Sequence, residues 1–190
     1  MKDIPSIVLI LFTLTCSACT SGAKMDENRF WDLIEKSGKG AYDSFEQSEQ
    51  LTDLLINEDP ADILEFERIL YKKMADSYRW DLWAIAYIVR GGASDDGFEY
   101  FRAWLIGQGK NTFEAVSKNP KSITALIRTT EQLFENEGLM YAARMAYEDK
   151  TGKSMPDHTI KYPSEVVGDP WTEEDLPKLY PELCKMFGWE

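Results

Sequence analysis

The stretch from Tyr78 to Gly109, YRWDLWAIAYIVRGGASDDGFEYFRAWLIGQG, constrains this chain more than any other. It holds three of the six tryptophans, Trp80, Trp83 and Trp104, with Phe98 and Phe101. Trp80, Trp83, Ala84 and Tyr87 recur on one helical stripe, and Leu82, Ile85, Ala86 and Val89 fill the opposite side. A helix that is apolar on most faces has to be surrounded by protein. Gly91-Gly92 stops this helix, and Ser94 or Asp96 caps a second one carrying Phe98, Phe101, Trp104, Leu105 and Ile106. Gly107 and Gly109 close it. The rest of the chain must supply a cover for this buried pair.

That cover also reads as helical. Asp26 caps a helix to about Ser37, with Phe30, Trp31, Leu33 and Ile34 inward. A second helix spans Ser44 to Asn57, with Phe45, Leu51, Leu54 and Leu55 as its apolar side and a solvated Glu- and Gln-rich face. Asp59-Pro60 starts a third, the Asp as capping acceptor and the Pro at the first helical position. Its apolar residues, Ile63, Leu64, Phe66, Ile69, Leu70 and Met74, follow at three- and four-residue steps toward an end near Ser77. A short helix is expected over Asn111–Ser117, and a long helical region over Ile123–Thr151, bent or divided at Gly138. In that region Leu126, Ile127, Leu133 and Phe134, then Leu139, Met140, Tyr141, Ala143, Met145 and Tyr147, are the inward set. Met155 to Pro170 holds three prolines and little periodicity, an irregular arm over the bundle. Thr172 and Asp175 make a capping-box start, and short helices from Glu173 and over Pro181–Phe187 finish the chain. No alternating run argues for a sheet, so the expected fold is all-α: a multi-helix bundle over residues 26–190 with an irregular C-terminal arm.

Residues 1–18 read as a signal peptide. The apolar run Ile7–Leu14 is shorter than the roughly 20 residues a membrane span needs. It has the length of a signal-peptide core and leads into Ser17-Ala18-Cys19, similar to the end of a bacterial lipoprotein signal. The expectation is cleavage before Cys19, lipid on its sulfur, and a short tether over residues 19–25 holding the domain against a membrane of the cell envelope. Cys16 is the second choice for the lipid, and a start at Met25 would instead leave a cytoplasmic protein. With Cys16 removed and Cys19 acylated, Cys184 is the one remaining thiol, so no internal disulfide supports the fold.

The net charge of −12 repels phosphate backbones and anionic lipid, which argues against nucleic acid and favours a basic protein partner. Acidity of this kind also serves plain solubility. His158, in the arm, is the single histidine, so a His-based triad or a His-ligated metal would rest on it alone. Gly107-Gln108-Gly109 lacks the third glycine of a dinucleotide loop, and Gly152-Lys153-Ser154 lacks the earlier glycine of a phosphate loop. No motif points to a cofactor. What remains is the turn with Asp95, Asp96 and Glu99, followed by Arg102, and the aromatic corner Trp80-Asp81-Leu82-Trp83. Acids in a first helical turn cap amides and suit the dipole, and Glu99 with Arg102 is an ordinary helix pair. The same carboxylates could grip a basic group, or hold Mg²⁺ or Ca²⁺ for hydrolysis. Trp80 and Trp83 fit either a core or the wall of a groove. The candidate binding residues are therefore Asp95, Asp96, Glu99, Arg102, Trp80, Asp81 and Trp83, with no catalytic residue and no metal ligand assigned.

Several pieces together resemble a bacterial family known as domain of unknown function 4240. They are Phe30-Trp31, Arg79-Trp80-Asp81-Leu82-Trp83, Ala86-Tyr87, Gly91-Gly92, Ser94-Asp95-Asp96-Gly97-Phe98, Tyr100-Phe101-Arg102 and Trp104-Leu105-Ile106. Tyr147 to Gly152 and Trp171 to Leu176 extend the likeness, which runs from Met25 to Gly188. Ala93 stands where members commonly carry cysteine, and members commonly begin near the equivalent of Met25. The resemblance implies one compact domain and no particular activity. On sequence the leading expectation is a lipid-anchored protein-binding domain, inhibitor- or immunity-like, with a cation-dependent hydrolase or a purely structural envelope protein as alternatives.

Overall fold

The computed structural model describes residues 24–127 and 129–189. The proposed signal peptide and both Cys16 and Cys19 lie outside the described residues. The helices are α1 (Glu27–Gly38), α2 (Ser44–Ile56), α3 (Pro60–Asp76), α4 (Trp80–Arg90), α5 (Asp95–Gly107), α6 (Lys110–Lys118), α7 (Ala142–Thr151), α8 (Leu176–Leu179) and α9 (Pro181–Met186). Short 3-10 helices cover Pro120–Ala125, Glu137–Met140 and Glu173–Asp175. The architecture is all-α: among the described residues the one β contact is an isolated parallel bridge between Arg79 and Val167. None of the described helices is long and apolar enough to cross a membrane.

Local chemistry sets most ends. The Asp26 carboxylate accepts from the Arg29 amide at 2.8 Å, Asp43 from the Glu46 amide at 2.9 Å, and the Ser94 hydroxyl from the Gly97 amide at 3.2 Å. Gly91 ends α4 in the left-handed region at φ 67°, where a side chain would be strained. Asp59 makes no side-chain capping bond; its carbonyl accepts from the Asp62 and Ile63 amides, and Pro60 stands at the start of α3.

The buried pair lies where the sequence puts it. Leu82, Ile85, Ile88, Phe98, Phe101 and Leu105 are wholly buried. Around them α1 contributes Phe30, which packs on Phe66 of α3 at 4.7 Å between ring centroids, and Trp31, which reaches Phe113 of α6 at 5.5 Å. α2 lies between α1 and α7. Ser48 bonds Asn136 near the start of α2, and the Ile56 carbonyl accepts from Lys150 near its end, so α2 and α7 run in the same direction.

Three expectations about the cover are overturned. The region 123–151 is not one long helical stretch. The first 3-10 turn ends at Ala125, the second begins at Glu137, and α7 begins only at Ala142; the described residues between the two turns form no helix. Tertiary bonds replace helical ones there: the Asn136 amide donates to the Tyr100 carbonyl at 3.0 Å, and Phe134 packs edge-on against Trp104 at 5.1 Å. Second, α2 buries Leu51 and Leu55 as expected, with Leu54 packed against the core, but its first turn departs from the pattern. Phe45 is 70% exposed, whereas Gln47 and Ser48 are buried. Gln47 donates to the Gly107 carbonyl at 2.8 Å and accepts from Asn136, which satisfies the buried amide. Third, of the expected inward set Phe134, Leu139, Met140 and Ala143 are buried, but Leu126, Leu133, Tyr141 and Met145 are exposed, and α7 adds Ala142 and Ala146 to its inner face. Small residues there let α7 lie close against α2 and α3.

Candidate functional site

The corner at Trp80 and Asp81 opens onto a cleft. Arg79 is extended, and its neighbours pair with the arm: the Trp80 amide donates to the Val167 carbonyl at 2.9 Å and the Val167 amide to the Tyr78 carbonyl at 3.1 Å. The arm then turns back over the corner. The Trp171 indole N–H donates to the Trp80 carbonyl at 2.7 Å, and its ring meets that of Trp80 edge-on at 5.9 Å. Trp80 stacks on Trp83 at 5.4 Å, Trp83 stacks on Phe98 at 4.9 Å, and the Trp83 N–H donates to the Ala93 carbonyl at 3.1 Å. The two tryptophans are thus half-buried, joining core to surface.

Between this corner and α8 lies a cleft of about 610 Å³, within the range of small-ligand sites. Its polar lining includes Arg79, Asp81, Asp169, Asp175 and Lys178, with Trp171 and Tyr180 among its walls. The Arg79 guanidinium is committed: it pairs with Asp81 and donates to the Ser117 carbonyl at 2.8 Å. The Asp175 carboxylate accepts from the Thr172 amide at 3.0 Å and hydroxyl at 2.8 Å, and these bonds hold its pKa below the usual carboxylate range. The Tyr180 hydroxyl donates to the Asp81 carbonyl at 3.2 Å, and burial with the nearby Asp81 charge pushes its pKa up to about 12. Asp169 is exposed. Three carboxylates face two cations; the Arg79–Asp81 pair cancels within the lining and leaves Asp169 and Asp175 against Lys178.

The acidic turn is a separate place. Asp95 and Asp96 are exposed in the first turn of α5, and Glu99 is half-buried. Among the described residues, no three of His, Cys, Asp and Glu stand as a group that could hold a metal ion. Arg102 does not pair with Glu99. It is 3% exposed, donates to the Met74 carbonyl at 2.6 Å, and lies over the rings of Phe98, Tyr78 and Tyr162 at 4.7, 5.1 and 5.3 Å. The predicted residues thus divide among a cleft (Asp81, with Trp80 behind it), an exposed turn (Asp95, Asp96) and a buried cation box (Arg102).

Sequence reasoning missed a polar seam where α3, α5 and α7 meet the arm. Glu67 is 1% exposed; its Oε1 accepts from Arg144 Nε at 2.8 Å, while Oε2 has no partner. Burial raises its carboxyl to about 7, against the opposing pull of Arg144. Arg102 Nε and the Tyr162 hydroxyl are also buried without partners. His158 is not a free loop residue: its ring stacks on Tyr71 at 3.7 Å. The signal for Glu67 was present, since it falls in the stripe Ile63, Glu67, Leu70, Met74 that otherwise faces the core.

The geometry defines an acidic, all-α domain with a mixed-charge cleft walled in part by a non-helical arm. The chain belongs to the family described as protein of unknown function DUF4240, whose model matches residues 25–149. The arm and the C-terminal helices that complete the cleft lie beyond the matched segment. No curated protein and no solved structure matches the chain.

Proposed function

We propose that this protein is a binding module for a basic protein segment, seated in the cleft beside Asp81. The observation that carries the reading is the cleft's charge balance. Asp169 is exposed in its lining, Arg79 is already held by Asp81, and Trp171 and Tyr180 offer apolar walls to the stem of a lysine or arginine. The overall charge of −12 would speed the approach of such a partner. The signal-like N-terminus adds a place for this activity, on the outside of a bacterial membrane through lipid on Cys19.

Titration of the purified protein with an arginine-rich peptide, beside an acidic peptide of equal length, tests the binding. Saturable binding of the basic peptide alone is expected, weakened on the order of tenfold in an Asp81→Asn/Asp169→Asn variant, as the loss of one good ionic contact would give. Equal affinity in the variant removes the cleft from the reading, and no saturable binding removes the reading itself. Mass spectrometry of the membrane-extracted protein tests the anchor: an acylated Cys19 at the mature N-terminus is expected, and an unmodified chain starting at Met25 would refute it.

A further inference from the structure

We propose that His158 is a protonation-controlled latch that fastens the arm segment 155–162 over the seam between α3, α5 and α7. The imidazole makes two contacts. Its face stacks on Tyr71 of α3 at 3.7 Å, with 26° between the rings. Its Nδ1 accepts a hydrogen bond from the Ile160 amide at 3.1 Å. An imidazolium carries a proton on both nitrogens and accepts nothing, so the second contact exists only while His158 is neutral. That bond closes a tight turn through Thr159, whose φ of 60° makes it the only described non-glycine residue in the left-handed region. A β-branched residue there is strained, and the bond to His158 spans it. Protonation removes the bond and leaves the strain.

The charges around the ring act in the same direction. Arg144 of α7 faces it, and Asp157 of the arm opposes Arg144 only in part. The charges of Glu67 of α3, which pairs with Arg144, and of Glu99 of α5 reach Tyr71, the ring on which His158 stacks. Burial first and the Arg144 charge second hold the imidazole below its ordinary pKa.

Release would be local. The segment is tied at one end by α7 and at the other by the bridge at Val167. Between them the buried Met155 and the Tyr162 ring over Arg102 are the further holds. Tyr162 has no partner for its buried hydroxyl, and neither has Arg102 for its Nε. Opening would hydrate both, which lowers the cost of lifting the segment. Acidification would thus uncover a cationic, aromatic surface, Arg102 with Tyr78 and Tyr71, on an otherwise acidic protein.

The test uses the fact that His158 is the single histidine, so its ring signals in an NMR titration of the whole protein are unambiguous. Amide hydrogen exchange at Ile160 and Tyr162 is followed in parallel from pH 7.5 to 5.0, corrected for intrinsic exchange chemistry. His158→Gln, which cannot take up the proton, is measured beside it. Titration of Glu67 enters both proteins alike, so their difference isolates the latch. The expected result is an imidazole that titrates below its ordinary value, with corrected exchange rising about threefold or more in the wild type and not in the variant. Threefold converts to about 0.65 kcal/mol, within the net contribution of one hydrogen bond. Ring protonation with unchanged protection at Ile160, or an equal rise in His158→Gln, would overturn the proposal.

Discussion

The Trp171 indole nitrogen sits 2.7 Å from the carbonyl oxygen of Trp80, across 91 positions of sequence. The bond uses the second lone pair of a carbonyl in the first turn of α4 and fixes the arm as a wall of the cleft. Trp171→Phe keeps an aromatic ring over Trp80 and Tyr87 but loses the donor. Urea denaturation should show a loss of about 1 kcal/mol, the net worth of one such bond. Trp171→Ala should cost about 3 kcal/mol, because the ring packing goes too.

Glu67 makes stability depend on pH. Its carboxyl has a pKa of about 7 in the fold against an ordinary value of 4.5, so the folded chain binds the proton more tightly than the unfolded one. This contribution is present below pH 4.5 and is lost as pH rises through 7, by at most roughly 3.5 kcal/mol at about 1.4 kcal/mol per pKa unit. Glu67→Gln should be flatter than wild type between pH 4.5 and 7 and more stable than it at pH 8. Denaturant midpoints across that range measure the difference, from which the opposing contribution of His158 cancels.

Arg102 is a buried cation held by three rings and one carbonyl instead of a carboxylate. Its flat guanidinium stacks where an ammonium would not. Arg102→Lys keeps the charge and should still cost about 1–2 kcal/mol, the range of desolvated cation–π contacts. An unchanged thermal midpoint in that variant would show that planarity is irrelevant in the box.

Gly138 is small because of Ser48. A Cβ at position 138 would lie 2.8 Å from Ser48 Oγ and 2.9 Å from its Cβ. That same hydroxyl bonds Asn136 Oδ1 at 2.7 Å, which also accepts from the Leu139 amide at 3.0 Å. Gly138→Ala should therefore cost about 1–3 kcal/mol by overpacking. Gly138→Ala with Ser48→Gly should recover part of it, and calorimetry of the two variants reads the coupling.

Asp95 and Asp96 act at the exposed start of α5. Changing both to Asn removes their favourable interaction with the helix dipole, a loss of about 1 kcal/mol or less in thermal unfolding. Affinity for the arginine-rich peptide should stay within about twofold of wild type if the cleft is where it binds. A tenfold loss would move the binding surface to the turn.

The all-α fold and the burial of α4 and α5 were legible because they follow from local rules. Apolar residues at helical spacing leave one arrangement open, and Gly91, Ser94 and Asp26 end or start helices through their own backbone and side-chain chemistry. The stretch between Pro120 and Tyr141 was not legible, although the end of α7 at Gly152, the Thr172–Asp175 capping box and the helix from Pro181 were. Leu126, Leu133 and Phe134 suit a helical stripe, but only Phe134 found a buried place, because Asn136 spends its backbone and side chain on Tyr100, Ser48 and Gln47. Such bonds join residues nearly 90 positions apart in two of the three cases, and no local pattern announces them.

The candidate site divides in the same way. By itself the sequence determined which residues are unusual: a charged arginine inside an aromatic run, acids at a helix start, tryptophans three apart, one histidine in a proline-rich arm. Only the tertiary structure decided their company. It took Arg102 away from Glu99 and into a ring box, left Asp95 and Asp96 in solvent, and placed Asp81 in a cleft with Asp169 and Asp175. The reason is physical. Helix formation and capping are settled within four residues along the chain, whereas the partner of a buried charge is whatever the packing of distant segments brings within about 4 Å.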